Sequence, residues 1–312
     1  MNEAVWVLTL SAAVSAGTPL VFAAVGEILA ERSGVLNLGV EGMMLLGAVA
    51  SFLAATASGS PYVGLLAGVL AGGALSLVHA FLAVTMRANQ IVSGLALVIF
   101  GTGLATFLGN PIEGDPLASR IVDVPIPLLS NIPILGPILF RQDVLVYASW
   151  VVVAVAAFYL VRTRAGLAVR ACGESPETAD AMGLNVARAR YMHVVLGGLL
   201  AGAGGAYQIL ARVPSWSGAG TTAGIGWIAL ALVVFAAWRP WRALFGAYLF
   251  GAALAANFAL QAAGVNLLPA EFLSMLPYLL TILVLIVLSA RGARKRLGAP
   301  AALGEPYVRE ER

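Results

Sequence analysis

Nine long apolar runs constrain this chain more than any other feature, because together they occupy most of its length. The runs cover residues 4–25, 35–57, 61–86, 90–109, 143–162, 191–211, 222–238, 241–261 and 271–290. Most are as long as the roughly 20 residues that a helix needs to cross a hydrocarbon layer about 30 Å thick. With 60% hydrophobic and only 11% charged residues, the chain is predicted to be an all-α, polytopic membrane bundle of about nine transmembrane helices.

The positions of the basic residues predict how this bundle is oriented. If the polar loop 163–190 is cytoplasmic, alternation of the spans places the N-terminus outside and the C-terminus in the cytoplasm. Of the 18 lysines and arginines, only Arg120, Arg141 and Arg212 then fall outside. Since basic residues are retained on the cytoplasmic side, this bias supports the orientation and the odd number of spans. The net charge of +3 is therefore a signal of topology and does not indicate nucleic-acid binding.

These assignments divide the chain into a transmembrane domain, residues 1–290, and a basic cytoplasmic tail, residues 291–312. Within the first part, residues 110–142 form the longest loop and are placed outside the membrane. Six prolines rule out one continuous helix there. The segment 126–140 is apolar enough to lie at the interface or dip back into the bundle. The loop is expected either to contact an external delivery protein or to pack over the helices as a plug.

The cytoplasmic loop 163–190 carries the signals of a short capped helix. Ser175 suits the N-cap, Pro176 the first helical position, and Gly183 the stop. A helix of about two turns is too short to cross a membrane and has little stability of its own. We therefore expect it to lie on the cytoplasmic face as a docking element for a soluble partner. The candidate docking residues are Glu174, Ser175, Pro176, Glu177, Asp180 and Gly183.

Polar residues inside the apolar runs are candidates for lining a path through the membrane, because burying them in lipid is costly. Glu41 is the main candidate, and Asn37 precedes it by four residues, which predicts that both lie on one helical face. Glu41 either contacts a translocated solute or is a structural carboxylate held by a neighbouring helix. Asn89, Gln90 and Ser93 form a second candidate group at a helix start.

Other intramembrane polar residues are more typical of contacts between helices. They are Gln208, Asn257, Gln261 and Glu271, together with the isolated His79 and His193. Glycines crowd two of the runs and predict closely packed helices. They are Gly68, Gly72 and Gly73 in one run, and Gly197, Gly198, Gly202, Gly204 and Gly205 in the other.

The sequence does not favour an enzyme. It has no H-E-x-x-H, no G-x-S-x-G and no cluster of cysteines and histidines, so the templates of metalloproteases and serine hydrolases lack their parts. Its only lysine, Lys295, does not stand in a Walker A loop. The single cysteine, Cys172, gives neither a disulfide nor the spacing of a metal site. Neither a metal nor a cofactor is expected, and any dependence on ATP must come from another subunit.

Five segments of the sequence resemble the inner-membrane permeases of bacterial ABC importers. They are GEILAERSGVLNLGVEGMMLLGA (26–48), ANQIVSGLAL (88–97), the loop 166–190, GWIALALVVFAAWRP (226–240) and MLPYLLTILVL (275–285). The resemblance is strongest to the nucleoside and simple-sugar branch, which is related to the ribose and branched-chain amino-acid permeases. It implies a multi-pass protein of the inner membrane that works with a second homologous permease, two ATPase subunits that bind the ATP, and an extracytoplasmic substrate-binding lipoprotein.

In such a complex, the resemblance makes the segment from Ser175 to Gly183 the coupling helix that enters a groove on the ATPase, and it places Asn37 and Glu41 in a span that lines the path. Alternating access driven by ATP is the expected mechanism. A purine nucleoside is the preferred solute, followed by a simple sugar such as ribose and by a flavin-like vitamin. Two alternatives remain open from the residues alone, a secondary transporter or channel that acts by itself with Glu41 as an ion site, and a membrane scaffold without transport.

Overall fold

The computed structural model describes residues 3–262 and 298–309 and the single positions 275, 279, 282 and 286. Apart from those positions, the predicted span 271–290 lies outside the described residues, and so do Glu271 and residues 291–297. Over the described ranges the chain is helical with two very short strands. The helices are α1 (Glu3–Arg32), α2 (Val40–Ser58), α3 (Pro61–Ala80), α4 (Gln90–Gly109), α5 (Leu135–Leu139), α6 (Val144–Arg162), α7 (Arg164–Glu174), α8 (Pro176–Ala181), α9 (Val186–Tyr207), α10 (Ile225–Phe235) and α11 (Pro240–Ala262).

Seven helices in the described part of the chain are long and apolar enough to cross a membrane. They correspond to the first seven predicted runs, and α11 covers the eighth, 241–261. The membrane-spanning helical class is therefore confirmed, whereas the count of nine spans and the sides of the two termini stay predictions. The seven spans are Trp6–Arg32, Val40–Ser58, Pro61–Thr85, Gln90–Ile112, Val144–Arg162, Val186–Arg212 and Gly218–Phe235.

Several spans are not continuous α-helices. The last turns of the spans that begin with α3 and α9 are π-helical, at Phe81–Thr85 and Gln208–Arg212. The span that contains α10 begins with a 3₁₀ turn, Gly218–Thr221, and the chain then breaks before α10. The break includes Gly224 in the left-handed region, at φ 82°, a conformation that glycine adopts without steric cost.

Helices α1, α2, α3 and α9 form the centre of the bundle, where backbones touch directly. A Cβ placed on Gly72 would overlap the backbone of α9 at Gly198 and Gly202, and one on Gly47 would lie 2.8 Å from the Cα of Gly202. The glycines singled out in the third and sixth runs therefore meet each other. Side chains as small as hydrogen let helices approach this closely in a membrane, where dispersion forces and weak Cα–H···O contacts replace the hydrophobic effect.

The loop between α4 and α6 folds over one end of this bundle. Its two strands, β1 (Asp123–Pro125) and β2 (Arg141–Asp143), pair antiparallel, and α5 lies between them in sequence. The side-chain amide of Gln142 donates to the hydroxyl of Ser11 on α1 at 3.0 Å, and Ile138 on α5 is buried. The preceding residues remain exposed, with Leu128 at 86%. One half of the segment 126–140 thus packs on the helices, while its other half offers apolar side chains to the surroundings.

The glycine contacts lead to a test of packing. Changing Gly205→Val is expected to lower the free energy of unfolding by about 3 kcal/mol, because overpacked cores do not adjust without strain. The added side chain would meet the carbonyl group of Met44, which belongs to the backbone of α2. Thermal unfolding of the purified protein in detergent measures the effect.

Gly103→Val is the matched control, since a Cβ at Gly103 meets nothing within 4 Å. It lies in α4 and is exposed, so this change should alter the free energy by no more than about 1 kcal/mol. Equal stability of the two variants would contradict direct backbone contact between α2 and α9.

Candidate functional site

The segment from Ser33 to Gly39 crosses the inside of the bundle without helical structure. It follows the end of α1, and α2 begins only at Val40. Gly42 in the first turn of α2 lies against the backbone of Leu97 and Gly101 on α4, whereas α4 itself begins at Gln90. The contact with Gly42 therefore lies two to three helical turns along α4 from its first residue. At 1.5 Å per residue, α2 starts about 10–15 Å deeper in the bundle than α4 does. We call residues 33–39 the inner loop.

Polar side chains from three helices form hydrogen bonds with the backbone N–H and C=O groups of the inner loop. The Gln90 side-chain oxygen accepts a hydrogen bond from the Leu36 N–H at 2.8 Å, and His79 Nε2 donates to the Leu36 carbonyl at 3.0 Å. Ser93 Oγ lies 3.2 Å from His79 Nδ1, and Glu27 Oε1 accepts from the Asn37 N–H at 2.9 Å. A non-helical backbone in the membrane needs such partners, because no water is there to replace them.

The side chain of Asn37 is turned onto the inner loop itself. It is fully buried, its Oδ1 accepts from the Gly39 N–H at 3.0 Å, and its Nδ2 lies 3.4 Å from the sulfur of Met43. The prediction that Asn37 and Glu41 share a helical face is wrong. Asn37 precedes the first residue of α2, so its four-residue spacing from Glu41 does not place the two side chains on one helical face.

Glu41 holds the start of α10. Its Oε1 accepts from the Thr222 hydroxyl at 2.5 Å and from the Gly224 N–H at 3.2 Å, and its Oε2 accepts from the Gly226 N–H at 2.7 Å. The side chain is only 7% exposed. A helix N-terminus has unpaired N–H groups and a partial positive charge, and a carboxylate satisfies both. This geometry is that of a structural carboxylate held by a neighbouring helix.

The structure therefore separates the residues predicted to line a path. Asn37, Gln90 and Ser93 lie around the inner loop, and Glu41 lies at the junction of α2 and α10. Asn89 is exposed and caps α4, because its Oδ1 accepts hydrogen bonds from the N–H groups of Ile91 and Val92 at 3.0 and 3.1 Å. Contact of any of these side chains with a solute stays a prediction.

Two buried acids next to the inner loop were not predicted as site residues. Glu27 and Glu31 lie one turn apart on α1 and are 1% and 3% exposed. Glu31 accepts a hydrogen bond from the indole N–H of Trp238, which follows α10. The first apolar run ends at residue 25, which placed both acids beyond the span, but α1 continues to Arg32. Their four-residue spacing was the signal that could have indicated one buried helical face.

The other polar residues make contacts within the bundle. Gln208 accepts from Arg212 at 3.2 Å, and His193 bonds to the Tyr159 hydroxyl at 3.0 Å. The side chains of Asn257 and Gln261 lie outside the described residues. Among the residues that the structure does describe, no three His, Cys, Asp or Glu side chains are placed to hold a metal ion.

Asp143 organises the opposite end of the bundle, where α6 begins. Its Oδ1 accepts from the N–H groups of Leu145 and Val146 at 2.8 and 3.1 Å, and its Oδ2 accepts from the Tyr207 hydroxyl at 3.0 Å. Burial raises the pKa of the Asp143 carboxyl, and these hydrogen bonds oppose that shift.

The predicted docking residues surround a helix of just under two turns. Helix α8 has six residues, Ser175 caps it by accepting from the Thr178 N–H at 3.4 Å, and Gly183 lies beyond its end at φ 84°. Glu174 belongs to α7 instead. The helix packs through Pro176 and Ala179, which are buried.

The opposite face of α8 is open. Glu177 is exposed and Met182, directly after the helix, is 79% exposed. The helix lies at the end of the bundle where α1 ends and where α4 and α9 begin. We call this the basic end, since Arg32, Arg87, Arg162 and Arg239 lie there.

The hydrogen bonds of Glu41 generate a stability prediction. Glu41→Ala should lower the free energy of unfolding by about 3 kcal/mol, because it leaves buried N–H groups without an acceptor. Glu41→Gln should lose less, since its amide oxygen still accepts. Thermal unfolding in detergent measures the loss, and hydrogen exchange locates it at residues 222–228. Glu177→Ala, at an exposed site, should stay within about 0.5 kcal/mol, and an equal effect of both alanine variants would contradict the role of Glu41.

Comparison with known proteins places this arrangement in a family. Residues 9–285 match the family described as "Branched-chain amino acid transport system / permease component". The chain is 42% identical to a putative glucose ABC transporter permease protein of Haloferax volcanii, over 96% of this chain and 97% of the relative. It is 38% identical to a nucleoside ABC transporter permease protein of Lactococcus lactis and 36% identical to a guanosine ABC transporter permease protein of Bacillus subtilis, in both cases over 94% of each chain. No solved structure matches the chain significantly.

The resemblance found in the sequence is thereby confirmed at the level of the family. The relatives are transport subunits and not enzymes, and the seven apolar helices agree with a multi-pass protein of the cytoplasmic membrane. An ABC transporter permease works in general with an ATPase and a binding protein. The chain belongs to the permease family of the branched-chain amino acid transport systems and is the membrane subunit of an ABC transporter.

Proposed function

We propose that this permease subunit imports a small neutral solute, with a purine nucleoside as the first candidate, by alternating access driven by ATP hydrolysis in a partner ATPase. The observation that carries the nucleoside is the near full-length similarity to two permeases named for nucleosides and guanosine, at 38% and 36% identity. ATP is bound by the partner, and this chain takes no cofactor of its own.

The geometry of α10 supports a neutral solute. The N-terminus of a helix that begins inside the membrane is a ready binding site for an anionic group of a substrate. In this protein the carboxylate of Glu41 already occupies that position and satisfies the N–H groups of Gly224 and Gly226. A second negative charge there would be repelled, whereas hydroxyl and amide groups of an uncharged solute would not.

A simple sugar is the second candidate. It is supported by the putative glucose permease of Haloferax volcanii, which is 42% identical over 96% of this chain. Sugars and nucleosides share neutral, hydroxyl-rich surfaces, so the argument from Glu41 fits both. The alternative of a transporter or channel that acts alone is set aside by membership in the ABC permease family.

The partners follow from the same proposal. The chain pairs with a second, homologous permease, engages ATPase subunits on one side of the membrane and receives its solute from an extracytoplasmic binding lipoprotein on the other. The basic end is cytoplasmic, because arginines are retained on that side. The loop 110–142 then faces outward, where the exposed Leu128 and Ile134 offer a contact surface to the binding lipoprotein.

Helix α8 is the element that we assign to the ATPase. It lies at the basic end, its buried face rests on α7 and α9, and its other face carries Glu177 and Met182 in exposed positions. The groove beside it has a volume of about 270 Å³ and is lined mainly by α7 and α8. A short helix with one fixed and one open face is suited to insertion into a groove of a second protein.

The connection from α8 to the bundle is short. Helix α9 follows α8 after a few residues and packs along α1 and α3 at glycines. A displacement of α8 by the ATPase therefore reaches the centre of the bundle through one rigid helix. A ligand or partner drives such a change only if it contacts the two states differently, and ATP binding supplies this difference by closing the ATPase pair.

Uptake into proteoliposomes tests the function and the solute together. Vesicles that contain this chain, its partner permease, the ATPase and the binding lipoprotein should accumulate labelled guanosine and adenosine when ATP is present. Ribose and glucose serve as competitors and as alternative labelled solutes. Vesicles without the ATPase are the control and should show no accumulation.

Uptake of a sugar without uptake of a nucleoside would reject the nucleoside and support the second candidate. Accumulation by this chain alone would contradict the ATP-driven mechanism.

The docking role of α8 predicts separation of ATP hydrolysis from transport. Glu177→Arg reverses the charge of an exposed side chain and should reduce uptake roughly tenfold through lost complementarity with the ATPase. The bundle should keep its melting temperature, because Glu177 lies on the open face. The measurement is the stimulation of ATP hydrolysis by the loaded binding protein, which Glu177→Arg should reduce.

Ser58→Arg introduces an arginine at an exposed position at the opposite end, outside the loop 110–142, and is the control. Gly183→Val is a second variant, since a β-branched residue at φ 84° is strained. Unchanged stimulation of ATP hydrolysis in Glu177→Arg and Gly183→Val would reject the docking role.

A further inference from the structure

The C-terminal segment from Gly298 to Arg309 returns to the bundle and lies across its basic end. The Ala302 N–H donates to the Gly173 carbonyl at 2.9 Å, and the Gly304 N–H donates to the Gly34 carbonyl at 3.2 Å. The segment thus bonds to α7 and to the inner loop through its own backbone. We call residues 298–309 the terminal strap.

Three charged side chains of the bundle also bond to the backbone of the strap. Arg190 on α9 donates to the Glu305 carbonyl at 3.0 Å, and Arg32 at the end of α1 donates to the Gly298 carbonyl at 3.1 Å. Glu174 accepts from the Ala301 N–H at 3.3 Å. Arg190 is only 1% exposed, so the bond from its guanidinium to the strap is shielded from water. Charge-assisted hydrogen bonds of this kind are stronger than those between neutral groups.

The far end of the strap reaches α8. Arg309 lies 3.5 Å from the Asp180 carboxylate. Tyr307 packs on a small apolar cluster formed by Cys172 of α7, Ala179 of α8 and Val186 of α9. Because the Arg309 side chain is 77% exposed, its ion pair contributes little. The apolar contact of Tyr307 is therefore a stronger link between the strap and α8 than this ion pair.

Helix α8 needs such a link to transmit a force. Six residues are too few for a stable isolated helix. The helix is joined to its neighbours by the extended Ser175 on one side and by Gly183, in the left-handed region, on the other. With hinges at both ends, the helix is held by its packing on α7 and α9, and a contact with the strap adds a third restraint against turning in place.

We propose that the terminal strap is a positioning element of the transport cycle, which fixes α8 to the ends of α1 and α9 so that movement of the ATPase is passed to the bundle. The proposal rests on the proposed docking of α8 and adds a second route beside the chain connection to α9. That second route leads to α1 and to the inner loop, through the carbonyl of Gly34.

Cys172 reports whether the strap is in place. It is the only cysteine of the chain, is fully buried, and lies in the cluster that Tyr307 covers. Burial raises the pKa of its thiol, so little of the reactive thiolate is present near neutral pH. Detachment of the strap would expose the sulfur and restore its ordinary reactivity.

The experiment compares Tyr307→Ala with Tyr62→Ala in the assembled complex in proteoliposomes. Tyr62 is 61% exposed, lies at the opposite end of the bundle, and is the matched control. Three quantities are measured, the rate at which a maleimide labels Cys172 as read from the mass of this chain, uptake of the labelled solute, and ATP hydrolysis stimulated by the binding protein.

Tyr307→Ala should raise the labelling rate roughly tenfold, because local opening becomes more frequent when a docking contact is lost. Uptake should fall while ATP hydrolysis continues, and Tyr62→Ala should change none of the three. A chain that ends at Leu297 should show the same loss in stronger form. Both changes lie outside the seven spans of the described part of the chain, and the melting temperature of each variant checks that the bundle stays folded.

Two results would overturn the proposal. Faster labelling with unchanged uptake would show that the strap covers Cys172 without positioning α8, and unchanged labelling would show that Tyr307 does not hold the strap in place. The variant Glu177→Arg separates this proposal from the proposed docking. If Glu177→Arg uncouples ATP hydrolysis and Tyr307→Ala does not, only the strap is rejected, whereas loss of coupling in neither variant rejects the docking of α8 as well.

Discussion

The requirement that every backbone N–H and C=O inside a membrane find a partner governs this structure. Long helices meet it by themselves, but the inner loop and the break before α10 do not. Each break is therefore matched by buried polar side chains from other helices, such as Gln90 and His79 for the inner loop and Glu41 for α10. These contacts tie α1, α2, α3, α4 and α10 together, so the irregular segments determine which helices are neighbours.

The sequence predicts the class of fold because hydrophobic length is a direct consequence of bilayer thickness. It also predicts the cap at Ser175 and the end signal at Gly183, since caps are local. It does not predict where α2 begins. Residues 35–57 form one mainly apolar run in the sequence, and the partners supplied by Glu27, His79 and Gln90 make an extended segment possible at its start. Such partners are distant in sequence, and periodicity carries no information about them.

At the candidate site, too, the sequence predicts which residue is unusual but not which distant residues it contacts. Glu41 was recognised as exceptional because an acid in an apolar run is rare. Its acceptor role toward Thr222, Gly224 and Gly226 required the fold, since these residues lie more than 180 positions further along the chain. The sequence does not predict the docking of the terminal strap, because its bonds to Gly173 and Gly34 are made by backbone groups, which every sequence contains. Family membership then supplies the transport function that no single side chain reveals.

The contact between α3 and α9 has a mechanical consequence. Where Gly72 faces Gly198 and Gly202, backbone meets backbone and a shift needs no rotamer change at that point, while beside it the side chains of Ser76 and Leu199 pack against glycines of the partner helix. Interlocked side chains would resist such movement until several of them changed conformation together. Two smooth backbones lose only dispersion contacts and weak Cα–H···O bonds, each worth less than about 1 kcal/mol. At this point the bundle is consequently dense although few side chains hold the two helices in register.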